Sequence, residues 1–222
     1  AREPTIRRPV RVQACVHAGL DAEQGALGVQ VVERQRRLFA DLPGVTPLPR
    51  IERAADLVAF LAAKPPPTCD LLYAFCHATA AATRDALFSF TTDAPDDQAT
   101  LVVERGQPVT VATMRTLRRA PLPDRPLVFL NACASAAGDE AFQAPLLEQF
   151  LDRWQAIGVI GTDWEVPTMF ADAFAHQLLG YFLRDRLPLG EAFARATRDA
   201  VDAGNPFALV YALYAPPELV VR

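Results

Sequence analysis

CDLLYAFCH at residues 69–77 and PLVFLNACAS at 126–135 are the two stretches on which the fold turns. Each is a nearly unbroken apolar run of strand length, the pattern of a parallel strand covered by helices on both faces. Each also leads, at its carboxyl side, to a side chain able to do chemistry: His77 in the first and Cys133 in the second. Upstream, VRVQACV (10–16) alternates as a strand, and Leu27, Val31, Leu38 and Leu42 then recur at helical intervals. A second such unit follows, with VTPLPRI (45–51) extended and Leu57, Val58 and Leu61 on a helix that KPPP (64–67) stops. Between the two decisive stretches, ALFSFTT (86–92), TLVVERG (100–106) and QPVTVAT (107–113) read as short strands around the turn ERGQ, with a short helix from Met114 to Arg119. Downstream, AIGVIGTDW (156–164) is a strand, and Phe170, Phe174, Leu178 and Phe182 stack four apart on a helix over 167–186. PLGEAFARATRDAVDAG (188–204) makes one more helix, with Phe193, Ala196 and Ala200 inward, and FALVYALYA (207–215) a final strand.

Strands and helices in alternation predict an α/β fold. The expected form is a three-layer α/β/α sandwich with a mostly parallel central sheet and a small β-hairpin excursion between the His and Cys strands. In such sheets the ligand site lies at the carboxyl ends of the central strands, where His77 and Cys133 fall. A chain of 222 residues with net charge -4 fits one domain over 1–222. Its start without Met suggests a domain cut from, or C-terminal in, a longer protein.

No apolar run approaches the roughly 20 residues that cross a bilayer, and the opening AREPTIRRPVR lacks the apolar centre of a secretory signal. Cys15, Cys69, Cys76 and Cys133 show no paired spacing, which favours a reducing cytoplasm over a disulfide framework and gives no zinc pattern. Mild acidity and the brevity of RQRR (34–37) and RTLRR (115–119) argue against a nucleic-acid partner. Gly25 and Gly28 sit in a helical pattern with no following Lys-Ser or Lys-Thr, so no phosphate loop is present. Neither a cofactor nor a metal is expected.

A thiol is a useful nucleophile only as thiolate, and a neighbouring imidazole supplies this by taking its proton and later delivering it to the leaving amine. LLYAFCH, PLVFLNACASA, GVIGTDWEVP with its long helix, PLGEAFARATRDA and NPFALVYALYA, in this order, resemble the CHAT domain family. That family belongs to the clan of caspases, gingipains and separase, in which a His lies roughly 50 residues before the Cys motif. The resemblance implies a caspase-like fold and a cysteine endopeptidase working through a Cys133–His77 dyad and an acyl-enzyme. Backbone amides of Ala78 and Cys133 would hold the oxyanion. It also implies a protein or peptide substrate and control by a sensor domain or partner protein in bacterial signalling, cell death or defence. The family usually has Gly directly after its histidine where this chain has Ala78. That departure motivates the alternative of a weak or inactive domain serving as a protein-interaction module. A third option is a hydrolase acting on another acyl group, since a Cys-His pair does not identify its substrate.

For specificity, Asn131 stands two before the nucleophile, where the clan lines its primary pocket, and Asp163 and Trp164 follow the GVIGT strand. An Asp163 carboxylate in the pocket would favour cleavage after Arg or Lys; otherwise it caps the next turn. Trp164 reads as a cleft wall or a core edge. His17 ends its strand near the site or simply packs there, Cys76 should face helices from the opposite side of its strand, and His176 is structural. Asp139 and Glu140 follow the Cys loop and either act on a substrate or partner or begin a helix.

Overall fold

A computed structural model describes residues 4–23, 30–79, 99–117, 121–132 and 144–222. Cys133, Asp139 and Glu140 lie outside the described residues, as does the ALFSFTT segment.

The sheet is built on four parallel strands that the apolar runs foretell: β2 (Val10–Val16), β4 (Leu71–Thr79), β7 (Leu127–Ala132) and β8 (Gly158–Thr162). The short β3 (Val45–Pro47) extends it at one edge and β9 (Tyr211–Tyr214) at the other, giving the order β3-β2-β4-β7-β8-β9. Only β9 in this path runs antiparallel, against β8. Strand pleating sends alternate side chains into two separate cores. Val12, Tyr73, Phe75 and Phe129 pack beneath α2 (Val31–Leu38), α6 (Thr168–Leu179) and α7 (Leu189–Asp202). Cys15, Leu72, Ala74, Val128 and Leu130 pack beneath α3 (Ala54–Ala62) and α4 (Val111–Thr116) and against Leu147 of α5 (Ala144–Glu148). The result is the three-layer sandwich.

The excursion is a hairpin. β5 (Thr100–Val102) pairs antiparallel with the end of β4, setting His77 opposite Val102, and β6 (Val109–Thr110) pairs with β5. Its turn at Gly106 takes φ +71°, which only glycine adopts without strain. In the predicted first helix, α1 (Leu20–Glu23) and α2 are separate named elements.

Two expectations change in detail. The strand predicted over 207–215 begins only at Tyr211, because residues 206–210 wind into a 3₁₀ turn. Pro206 brings no N–H, and Asn205 Oδ1 accepts from the Phe207 N–H at 3.2 Å, a local cap that competes with strand pairing. The helix predicted to run to Arg186 leaves α-geometry at Gly180 and finishes as a π-helical turn over Gly180–Arg184, with Phe182 still fully buried. A strand pair that the sequence pattern does not announce joins the ends of the chain: β1 (Thr5–Ile6) lies parallel to β10 (Val220–Val221).

The chain leaves β2 through α2 to reach β3, then returns through α3 to β4 on the other side of β2. Strand order therefore reverses between β2 and β4, and a crevice opens at their carboxyl ends.

Candidate active site at the carboxyl edge of the sheet

His77 stands near the end of β4, half-buried, in the wall of a small pocket at this crevice. The pocket is also lined by Asn131 and Ala132 of β7, Thr162 of β8, and Val166 and Ala171 before and within α6. Each comes from the carboxyl end of its strand or the amino end of α6, so the topology gathers residues remote in sequence.

His17 follows β2 and meets His77 edge to face, with ring centroids 5.4 Å apart and planes inclined by 70°. It is 1% exposed, and the Gly19 N–H donates to its Nδ1 at 3.1 Å. A nitrogen that accepts carries no proton, so the ring is neutral with its proton on Nε2. His17 is thus packed, as its strand position suggests, and packed against His77.

Asn131 is 2% exposed and its amide is committed to the core. Its Nδ2 donates to the Tyr73 hydroxyl at 3.0 Å and to the Ala171 carbonyl at 2.9 Å, and its Oδ1 accepts from the Tyr211 hydroxyl at 2.6 Å. The chain of bonds continues inward: Tyr73 donates to Gln35 Oε1 at 2.6 Å, and Gln35 Nε2 donates to Asp172 Oδ1 at 2.7 Å. Asp172, fully buried, meets Arg34 at 2.8 Å and His176 at 3.5 Å. His176 therefore has a place in the frame of the molecule. Asn131, expected to line the primary pocket, lies in the wall of this pocket and makes three hydrogen bonds to the protein.

Next along β7, the Ala132 carbonyl accepts from Thr162 Oγ1 at 2.7 Å. Cys76, opposite Ala132 in the β4–β7 register, faces the α3 side of the sheet. Ala78 is extended, pairs with Leu101, and is absent from the positive-φ residues, so an alanine side chain costs nothing at this backbone.

Asp163 and Trp164, which directly follow β8, are both exposed, and Trp164 is 70% exposed, which rules out the core-edge reading for it. The Asp163 N–H donates to the Val210 carbonyl at 2.8 Å, and partial burial pushes its carboxyl above the usual carboxylate range. Burial first, and then neighbouring negative charge, raises two other thiols: Cys15 is pushed well up, beside Cys76 and Cys69, and Cys69 is pushed up to about 12, beside Asp70 and Asp124.

Sequence reasoning missed Tyr73, Tyr211, Gln35 and Thr162. The available signal was Asn131 itself, an amide inside an apolar strand, which demands partners, and Gln35 on the apolar stripe of a helix.

With this geometry in view, comparison with known proteins is specific. A family model described as the CHAT domain matches residues 28–211. The chain belongs to the CHAT domain family. A "Probable protease" of Vitiosangium sp. (strain GDMCC 1.1324) is 36% identical to this CHAT domain over 98 residues, 44% of this chain and 13% of that protein. Two crystal structures of the Saccharomyces cerevisiae separase–securin complex share the fold. The 2.6 Å structure aligns over 100% of the CHAT chain and 13% of its own with TM-score 0.52 and 14% identity; the 3.0 Å one aligns over 99% and 12% with 0.53 and 11%. This chain spans about an eighth of the length of each of these relatives. Family model and fold agree: this CHAT domain has the fold of the separase chains it aligns with. Among the described residues, no helix is long and apolar enough to cross a membrane.

Proposed function

We propose that this CHAT domain is a cysteine endopeptidase with Cys133 as nucleophile and His77 as acid and base. The single observation that carries the reading is the β4–β7 register, in which Cys76 and Ala132 are partners. His77 and Cys133 each follow one of these two residues in the chain. That register supports the reading because it sets the carboxyl ends of the two strands side by side. The pleat that sends Cys76 to the α3 face sends His77, next along β4, to the other face.

In the reaction, the Cys133 thiol gives its proton to His77 and the sulfur bonds to the substrate carbonyl carbon, whose π electrons move onto oxygen. Backbone N–H groups of Ala78 and Cys133 hold that oxyanion. The carbonyl re-forms as the C–N bond breaks, and His77 passes its proton to the departing amine. Water then adds to the thioester, giving a proton to His77, and collapse releases the acid while the proton returns to sulfur. Asp163 and Trp164 contact the substrate chain, with Asp163 favouring a basic residue before the cut. Asn131 contributes to the pocket wall. A sensor domain or partner in a bacterial signalling, cell-death or defence system controls the activity.

Cys133→Ala and His77→Ala are each expected to abolish cleavage of a mixed peptide pool, read by mass spectrometry of products, with the folded state retained by circular dichroism. Proteolysis that survives in both variants refutes the proposal. Failure of Cys133 to react with a peptidyl electrophile, even with partner proteins present, favours the interaction module instead.

A further inference from the structure

We infer that the cavity between α2 and the chain leaving β3 is a binding site for a small organic anion, a carboxylate or phosphate on an apolar body, and that its occupant is felt at the pocket of His77 through Gln35, Tyr73 and Asn131. Nothing in this site depends on the chemistry of Cys133, so binding and coupling are both read without proteolysis.

The cavity holds about 370 Å³, within the roughly 300–1,000 Å³ of ligand clefts. β3 is short, and beyond it the chain stays on β2 through the Leu48 N–H to the Val12 carbonyl at 2.8 Å and the Ile51 N–H to the Ala14 carbonyl at 2.9 Å, while α2 ends at Leu38. Ala14 is the smallest β2 side chain on this face, where Val12 and Val16 flank it, and the space opens above it. Phe39, Leu48 and Pro49 give apolar walls, and the guanidinium groups of Arg36 and Arg50 complete the lining. Arg36 pairs with Glu52 at 2.9 Å; Arg50 reaches that same carboxylate only at 3.7 Å, and donates to the Arg36 carbonyl at 3.4 Å. Arg37 and, at longer range, Arg36 meet Glu33, so three guanidinium groups face two carboxylates and one positive charge is left over. A guanidinium has five N–H donors, and Arg50, with its side chain 46% exposed, keeps most of them for an anion. Apolar walls beside a surplus guanidinium select a molecule with both an apolar body and an acidic head.

Hydrogen bonds join this cavity to the candidate active site. Gln35 lines the cavity, is itself buried, and accepts at Oε1 from the Tyr73 hydroxyl at 2.6 Å. That hydroxyl accepts in turn from Asn131 Nδ2 at 3.0 Å, and Asn131 lines the pocket that holds His77. Three side chains thus lead from one cavity to the other, and the two bonds between them share a single hydroxyl. Bonds arranged in such a chain polarise one another in the low-dielectric interior. A molecule seated against Gln35 shifts its amide, and the change reaches Asn131 because the hydroxyl that gives to one accepts from the other.

The test follows nuclear magnetic resonance signals of the full chain during titration with naphthoate and naphthyl phosphate, against neutral naphthamide and inorganic phosphate. The organic anions are expected to shift the Ala14 and Leu48 methyls saturably, with naphthamide and inorganic phosphate each at least tenfold weaker; whichever anion binds more tightly names the head group. Arg50→Gln, a change at an exposed side chain, should weaken both anions at least fivefold and leave naphthamide within twofold. Ala40→Trp, which fills the cavity from an exposed position in its lining, should abolish binding. Coupling is read at the Asn131 side-chain amide, which should move with the same midpoint as the Leu48 methyls, while Val128 and Leu130, on the α3 face of the same strand, stay still. Tyr73→Phe should keep anion affinity within threefold and remove most of the Asn131 shift. Naphthamide binding as tightly as the anions, unchanged affinity in Arg50→Gln, shifts that map away from Ala14 and Leu48, or no saturation at millimolar anion overturns the site. An Asn131 amide that stays still while Leu48 titrates, or that moves undiminished in Tyr73→Phe, overturns the coupling. If Tyr73→Phe does not fold, the contrast of Asn131 with Val128 and Leu130 in the parent chain decides it.

Discussion

Replacing Gln35 by leucine removes both bonds of a side chain that is 1% exposed: the one accepted from Tyr73 at 2.6 Å and the one given to Asp172 at 2.7 Å. Tyr73, fully buried, loses its acceptor, at a cost of about 1–3 kcal/mol for an orphaned donor, and the bond to the carboxylate contributes about 1.5–3 kcal/mol more. Added apolar burial by leucine offsets about 1 kcal/mol. The net destabilisation is therefore about 1.5–5 kcal/mol, which lowers the melting temperature of a chain this size by about 3–20 °C. Tyr73→Phe alone is expected to cost about 1–3 kcal/mol, because it strands Gln35 Oε1 and one N–H of Asn131. In the double variant the shared bond is lost once rather than twice, so the two costs should fall short of their sum by about 1–2 kcal/mol. Urea unfolding followed by circular dichroism, on the four members of this cycle, measures all three quantities. Costs that add to within about 0.3 kcal/mol, or a Gln35→Leu variant as stable as the parent, would refute the reasoning that these hydroxyl and amide groups act as one network.

Asp163→Asn is expected to reduce kcat/KM for substrates with arginine before the cut by about 10–100-fold, the loss of one charge-assisted contact, with uncharged substrates little affected. Because burial raises the Asp163 carboxyl, cleavage after arginine should decline on acidification at a higher pH than an ordinary carboxylate gives; the Asn variant should lack that limb, and a pH profile for both proteins checks it. Cys15 and Cys69 hold their protons more tightly folded than unfolded, so their contribution to stability is present below the ordinary thiol value, 9.0, and is lost as pH rises toward about 12 for Cys69. Alkaline unfolding of Cys69→Ala should show a shallower decline, and an unchanged slope would assign the loss elsewhere. Gly158→Ala would set a new Cβ 2.1 Å from that of Ala215, and thermal unfolding should register at least the about 1–3 kcal/mol typical of overpacking; a neutral result would mean the β8–β9 edge yields freely.

The four parallel strands were legible because burial on both faces leaves a continuous apolar run, and β4 and β7 are such runs. The hairpin was legible through its ERGQ turn. The position of His77 near a strand end followed from counting along those strands. What stayed hidden depends on distance in sequence. Tyr73 sits inside LLYAF as one more apolar letter, and nothing local says that its hydroxyl meets Gln35, 38 positions away, or that Asn131 meets Tyr211, 80 positions away. Thr162 looked like an ordinary strand end because the acceptor of its hydroxyl is a carbonyl on another strand. The 3₁₀ turn before β9 was hidden because PFALV is apolar without a decisive period, and β1 and β10, two residues each, are too short to show alternation.

The parallel pairing of β1 with β10 has a mechanical consequence. Arg8 N–H bonds to Arg222 O at 2.8 Å, Arg222 N–H to Ile6 O at 2.9 Å and Val220 N–H to Pro4 O at 3.2 Å. Tension applied between Pro4 and Arg222 pulls two parallel strands lengthwise in opposite directions, so these bonds share the load in shear instead of opening one after another like a zipper. A tether attached at both ends would be resisted by this clasp before any force reached the sheet that carries His77.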